Sequence, residues 1–286
     1  MDTITHTLFG AGLYGVADKR QMDKKTKLAL LSSAIAASQI PDIDVISQLW
    51  DTNGMYQMWH RGITHSLFLV PVWAAFISFL TFAIWRIPFF RFFKLNLLAV
   101  FIHDTSDAFN AWGTGYLEPF SNIRLTFGTI PIIDFVIWLC FLSGFLIVKL
   151  KKVNSHKVFR IVWVVIIVHI GIQTTQGFLL KNHLDSQFDQ TTLSAGFIPG
   201  TYTIAGKSGE TVELWEGNLW SGLTKEATFH SEENASLERL FNEKPEAKTL
   251  VQWSPFVVIV DDEEKLGLFD PRFYRQGNFL YVYIEK

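Results

Sequence analysis

Four short polar clusters interrupt apolar stretches of this chain: Thr5-His6, Pro41-Asp42-Ile43-Asp44, His60-Arg61-Gly62-Ile63-Thr64-His65 and His103-Asp104-Thr105-Ser106-Asp107. Imidazoles and carboxylates are costly beside hydrocarbon unless something compensates them, and a divalent metal ion is the simplest compensation. His103 and Asp107 are four residues apart, so on a helix they project from one face and can share an ion, with Asp104 adding a second carboxylate. The plainer alternative is a cationic histidine at a helix C-terminus beside a solvated turn. Asp42 and Asp44 follow Pro41, which disfavours helical geometry at Ile40. In such a turn one carboxylate can bind metal while the other orients a ligand or serves as general base; an acidic loop at a helix end is the alternative.

His60 and His65 are five apart and do not meet on one helix, so they converge only through a bend at Gly62. Arg61 carries the planar fork that suits phosphate or carboxylate, although its long stem would also let it snorkel to lipid headgroups. Asp134 is a further ligand, a partner to one, or simply an acid favoured at a helix N-terminus. His169, with Gln173 and Gln176 following it, fits a polar helix-packing contact better than a ligand.

The elements that must hold these residues are read from composition and hydropathy. The 286 residues are 49% hydrophobic, too apolar for a uniformly soluble protein, yet the last third has ordinary soluble character. A net charge of -2 leaves no electrostatic footprint for nucleic acid. The single cysteine, Cys140, rules out an internal disulfide or a Cys-rich zinc site, so any metal must use histidine and carboxylate.

Apolar runs at Thr3 to Ala17, Leu28 to Ile40, Ser66 to Trp85, Leu95 to His103, Ile132 to Val148 and Ile161 to Leu180 predict an all-α, multi-pass membrane bundle of about six segments. The N-terminus, lacking a basic region before the first run, is expected to be a retained segment. Basic residues collect at Lys19 to Lys27, Arg86 to Lys94 and Lys149 to Arg160, which puts those loops in the cytoplasm and the polar clusters outside it. The sequence Ile4-Thr5-His6-Thr7-Leu8-Phe9 recurs as Ile63-Thr64-His65-Ser66-Leu67-Phe68, which suggests two parallel helical-hairpin repeats bringing the clusters together.

From about Thr191 the pattern changes to short alternating runs, at 201–204, 211–215, 255–260 and 278–284, with an amphipathic stretch at 235–243. These predict a small α+β domain over 190–286 after a membrane domain over 1–181. Gly206-Lys207-Ser208 echoes a phosphate-binding loop but lacks its glycine spacing, so it is expected to be a hairpin turn.

The ordered set Thr5-His6-x-x-x-Gly10, Pro41-Asp42-Ile43-Asp44, His60-Arg61-Gly62-x-Thr64-His65-Ser66 and His103-x-x-x-Asp107, followed by Asn110, Trp112-Gly113 and Pro119-Phe120-Ser121, resembles the YdjM-like family of membrane-bound metal-dependent hydrolases. The resemblance covers residues 1 to about 180. That family is regarded as similar to the zinc-dependent phospholipase C and P1 nuclease group. The resemblance implies one to three zinc ions held by His6, Asp44, His60, His65, His103 and Asp107, a base at Asp42 or Asp104, and Arg61 against developing negative charge. It implies hydrolysis of a phosphoester, and a site at the outer membrane edge makes a lipid or lipid-linked phosphoester the expected substrate. A metal transporter and a non-enzymatic metal-binding sensor or regulator are the alternatives.

Overall fold

A computed structural model describes residues 1–274 and 280–286. Its elements, in chain order, are α1 (Thr3–Val16), α2 (Lys24–Ala37), a 3-10 segment (Ile40–Leu49), α3 (Tyr56–Trp59), a 3-10 turn (Ile63–His65), α4 (Val70–Trp85), α5 (Phe90–Ala108), α6 (Phe135–Lys151) and α7 (Ser155–Asp185). Strands β1 (Gln190–Ala195), β2 (Tyr202–Ser208), β3 (Thr211–Asn218) and β4 (Gly222–His230) follow, then α8 (Glu238–Glu243), α9 (Pro245–Trp253), β5 (Val258–Asp261), β6 (Lys265–Phe269) and β7 (Tyr281–Glu285). The described residues form two compact units: Met1–Asp44, Arg61–Thr126 and Ile130–Ile172 in the first; Val45–His60, Phe127–Thr129 and Gln173–Lys286 in the second.

Local chemistry starts the helices of the first unit. The Asp2 carboxylate accepts from the backbone N–H of Ile4 and Thr5, Asp23 from Thr26, and Asp134 from Val136 and Ile137, each satisfying donors that a helix N-terminus leaves open. The core comprises one cluster around Phe9, Ile137, Phe141, Phe159 and Ile166 and another around Leu13, Ala37, Val70, Ile77 and Val100. Gly10 lets α1 lie against α2: a Cβ there would be 2.7 Å from Ile35 Cα and 2.8 Å from the Ala34 carbonyl oxygen.

The six-span bundle expected from the apolar runs is not what forms. Among the described residues only α7 is long and apolar enough to cross a membrane, with a mean hydropathy of 1.8 over its best window. The number rises to three if Lys24–Ala37 with Ile40–Leu49, bent by 53°, and Tyr56–His65 with Val70–Trp85, bent by 75°, each count as one span. The reason is that apolar runs are not straight helices. Ser66 to Trp85 becomes helical only at Val70, leaving 16 residues, or ~24 Å at ~1.5 Å per residue against a hydrocarbon core of ~30 Å. Helices α1 and α2 have 14 residues each, and the 19-residue α5 carries Arg91, Lys94, Asp104 and Asp107. The hairpin repeat is likewise only partial. Helix α1 packs on α2 and α4 on α5, but the first Ile-Thr-His lies inside a helix and the second forms a 3-10 turn.

The second unit holds a four-stranded antiparallel sheet, β1-β2-β3-β4, and a three-stranded one, β5-β6-β7. Leu193, Tyr202 and Ile204 pack on Leu180 and Leu184 of α7, while Val212, Leu214, Val258 and Phe269 form a second core. Gly206-Lys207-Ser208 closes β2 and the turn follows at Gly209-Glu210. Asn278 and Phe279, the start of the last expected strand, lie outside the described residues.

Candidate metal centre

Helix α5 supplies His103 and Asp107 from one face, as i and i+4 must. The two 3-10 stretches supply Asp42 and His65. Ligand atoms of these four residues all lie within 4.8 Å of one another. His65 Nε2 is 3.0 Å from His103 Nε2, 3.4 Å from Asp42 Oδ1 and 3.4 Å from Asp107 Oδ2. His103 Nε2 is 3.6 Å from Asp42 Oδ1 and 3.7 Å from Asp107 Oδ2. Two donors each ~2.0–2.1 Å from a tetrahedral zinc lie ~3.4 Å apart, so these five separations fit four donors around one ion. Three of the four side chains are fully buried, and Asp42, 16% exposed, is the one that reaches solvent.

Each imidazole is aimed from behind. His103 Nδ1 lies 2.7 Å from the Ser38 carbonyl oxygen; donation to that carbonyl leaves the Nε2 lone pair directed at the cluster. His65 Nδ1 lies 3.3 Å from Asp44 Oδ2 and 3.0 Å from Thr64 Oγ1. Asp44 Oδ2 also accepts from Thr64 Oγ1 at 2.5 Å and from the Arg61 backbone N–H at 3.0 Å. The structure therefore puts Asp42 in the buried donor set and Asp44 against His65 Nδ1.

Arg61 lies against Asp107. Its guanidinium is buried, with Nε 3.2 Å from Asp107 Oδ2, Nη1 donating to Asn110 Oδ1 at 2.9 Å and Nη2 to the Met1 carbonyl at 3.0 Å. A guanidinium held on three sides braces Asp107. Its backbone is left-handed, at φ 58, the bend that sequence reasoning placed at Gly62. Asn110, for which the sequence suggested no role, holds Arg61 and accepts from the Trp112 N–H at 2.8 Å.

His6 stacks on His103, ring centroids 3.7 Å apart, and its Nε2 is 3.4 Å from Asp107 Oδ1. Asp107 thus turns one oxygen toward the tetrad and the other toward His6 and the N-terminal nitrogen of Met1. Both ring nitrogens of His6 and both oxygens of Asp104 are buried without a hydrogen-bond partner. Buried polar groups of this kind fit a cation-binding site. His60 belongs to the second unit, at the C-terminal end of α3, where its ring stacks on Tyr56 at 5.2 Å. Asp134 caps α6 and pairs with His169 at 2.8 Å.

The loop after α5 backs the ligand-bearing turn: Gly115 N–H donates to the Arg61 carbonyl at 2.7 Å, Leu67 N–H to Tyr116, and Ser66 Oγ to the Glu118 carbonyl. Burial raises the Glu118 carboxyl and pushes the Arg124 guanidinium down to about 10, against the opposing pull of Glu118 and Asp44. Around these turns Ile43, Ile63, Phe68, Phe120 and Ile123 are exposed, and Phe68 meets Phe120 edge to face at 5.0 Å.

The family model described as YdjM inner membrane protein matches residues 1–178. The chain is 34% identical over 148 residues to a protein of Bacillus subtilis (strain 168) described as uncharacterized protein YfhP; the match covers 50% of this chain and 45% of that relative. No solved structure matches. With more than half of its length matched, the chain belongs to the YdjM inner membrane protein family, and it is a membrane protein.

Proposed function

We propose that this member of the YdjM inner membrane protein family is a metal-dependent hydrolase of a lipid or lipid-linked phosphoester. The observation that supports it most is the Asp42, His65, His103, Asp107 donor tetrahedron with further orphaned donors, His6 and Asp104, beside it. Asp42, His65, His103 and Asp107 would hold the ion, with His6 on the second oxygen of Asp107. When bound, a zinc-like ion would supply Lewis acidity and a water acidic enough to act as nucleophile near neutral pH. Asp44 and the Ser38 carbonyl orient the two imidazoles, Arg61 fixes Asp107, and Asp104 is the carboxylate left to take a proton. The exposed Ile43, Ile63, Phe68, Phe120 and Ile123 beside the ligand turns favour a substrate with an acyl or prenyl tail over a soluble one.

We place the second unit on the outer side of the membrane. Lys149, Lys151, Lys152, Lys157 and Arg160 flank the start of α7, whereas Lys181 is the single lysine or arginine in its last turns. A span with that bias keeps its N-terminal end in the cytoplasm.

The test is metal analysis of the purified full-length protein with turnover of a phospholipid and lipid-linked phosphate panel. Stoichiometric zinc or another divalent ion is expected, with metal and turnover both lost in His65→Ala and Asp107→Ala; a folded, metal-free, inactive wild type overturns the reading. A second reading has its own observation: four protein donors close a tetrahedron, the pattern of structural zinc. One ion per chain, no open coordination position and no turnover would select it.

A further inference from the structure

The four-stranded sheet is chemically polarised along its strands. Its β2–β3 turn is Ser208-Gly209-Glu210-Thr211, polar throughout, whereas the two turns at its other end are Gly196-Phe197-Ile198-Pro199-Gly200 and Asn218-Leu219-Trp220-Ser221. Phe197 is 59% exposed, Ile198 70%, Leu219 43% and Trp220 79%. Four large apolar side chains at one end of a sheet, each in a turn where polar residues are the rule, need an apolar neighbour.

Helix α7 says what that neighbour is. The sheet is fastened to it: Tyr202 Oη donates to the Gln173 carbonyl at 2.6 Å, and Leu193 and Tyr202 press so close to Gly177 that a Cβ there would be 2.9 and 3.0 Å from them. A Cβ at Gly200 would lie 3.2 Å from Gln176 Oε1 and 3.5 Å from the Trp220 ring, so both apolar turns meet the helix at the level of Gln176. The strand β1 runs antiparallel in space to the end of α7, carrying its turn back toward the apolar run that begins at Ile161. Counting ~20 residues from Ile161 at ~1.5 Å each brings the ~30 Å hydrocarbon core to Leu180, about one turn beyond Gln176. Ile172 and Leu179 of α7 are themselves 52% and 54% exposed at this level.

We infer that the Phe197-Ile198 and Leu219-Trp220 turns are membrane-inserting tips, seating the second unit on the lipid bilayer that α7 crosses. Tryptophan at a turn tip suits the headgroup boundary, where its ring is buried and its N–H stays wet. The tips and α7 then form one membrane-contacting surface, and the tilt of the unit is fixed by three points. This inference rests on α7 and the sheet, and is independent of the metal site.

The test uses the full chain in phosphatidylcholine proteoliposomes with Cys140→Ser, which removes the single native thiol, and one new cysteine carrying an environment-sensitive fluorophore. Labels at Ile198→Cys and Trp220→Cys are expected to emit in the blue and to be quenched by doxyl-labelled lipid at least about threefold more than a label at Glu210→Cys, with aqueous iodide giving the reverse order. A native-cysteine Trp220→Phe chain supplies a second reading, with reduced quenching of total tryptophan emission by brominated lipid. Labels at 198 and 220 as open to iodide as the one at 210 would overturn the inference. Labels shielded from both quenchers would overturn it too, because a protein rather than lipid would then cover the tips.

Discussion

Asp42 in the donor set and Asp44 behind His65 have different tasks in the proposed centre, and two isosteric substitutions test that division. Asp42→Asn removes a carboxylate whose Oδ1 sits 3.4 and 3.6 Å from the two imidazole nitrogens of the tetrad. Asp44→Asn keeps an oxygen for Thr64 and the Arg61 N–H but removes the charge behind His65 Nδ1. Loss of such a supporting group typically weakens metal binding about 10–100-fold, or ~1.4–2.7 kcal/mol. At a free ion concentration 100 times the wild-type Kd, bound metal stabilises the fold by ~2.7 kcal/mol; the Asp44→Asn protein would retain ~1.4 to ~0.4 kcal/mol of that. Asp42→Asn should lose stoichiometric metal altogether. The assay is zinc competition against a chelating dye on the detergent-purified full chain, with thermal unfolding of the metal-free forms confirming that both variants fold. Equal metal loss in the two variants, or wild-type affinity in Asp42→Asn, would refute the assignment.

Acidification from pH 7 to 5 should release the ion, since His65 and His103 bind only as neutral imidazoles and protons compete for the same Nε2 atoms; dialysis at each pH followed by metal analysis reads this directly. Chelation at neutral pH should lower the unfolding temperature of wild type and leave that of Asp42→Asn unchanged. Arg61→Lys, which cannot reach Asp107, Asn110 and the Met1 carbonyl at once, should destabilise the protein by about 1–3 kcal/mol, seen as a lower midpoint in denaturant or heat, and should weaken metal binding through a misaligned Asp107. Gly10→Ala should cost about 1–3 kcal/mol because the contacts at Ile35 Cα and the Ala34 carbonyl are backbone and cannot give way; unchanged thermal stability would contradict the packing of α1 on α2.

What could be seen in the sequence tracks what depends on spacing alone. His103 and Asp107 were legible because a helix puts i and i+4 together whatever surrounds it. His65 and an acid of the 42–44 pair were legible as partners, but which acid faces inward depends on the twist of a 3-10 segment that neighbouring residues do not encode. The Ser38 carbonyl had no side-chain signal. Asn110 stood within the recognisable motif, yet its task depends on Arg61 folding inward at a positive φ. His60 shares a motif with His65 and falls in a different compact unit, since the chain changes unit between His60 and Arg61. In the second unit, β3 shows through alternation, whereas β4, with Lys225, Glu226 and His230 along an exposed strand, carries little apolar pattern.

The broken apolar runs and the donor cluster have one cause. The two places where apolar runs break, at 53° between α2 and the segment Ile40–Leu49 and at 75° between Tyr56–His65 and α4, are the places that carry Asp42 and His65. A straight helix displays ligands only along its own face, so four donors converging from three segments require the chain to turn inside the protein. Turning frees backbone groups, which at membrane depth are tolerated only where protein rather than lipid surrounds them. Here the Ser38 carbonyl lies within hydrogen-bond reach of His103 Nδ1, the Arg61 N–H donates to Asp44, and the Arg61 carbonyl accepts from Gly115, so the groups released at the bends become the second layer of the site. Two of the four polar clusters, the one with Asp42 and the one with His65, lie at these bends, and the other two, in α1 and α5, face them from straight helices.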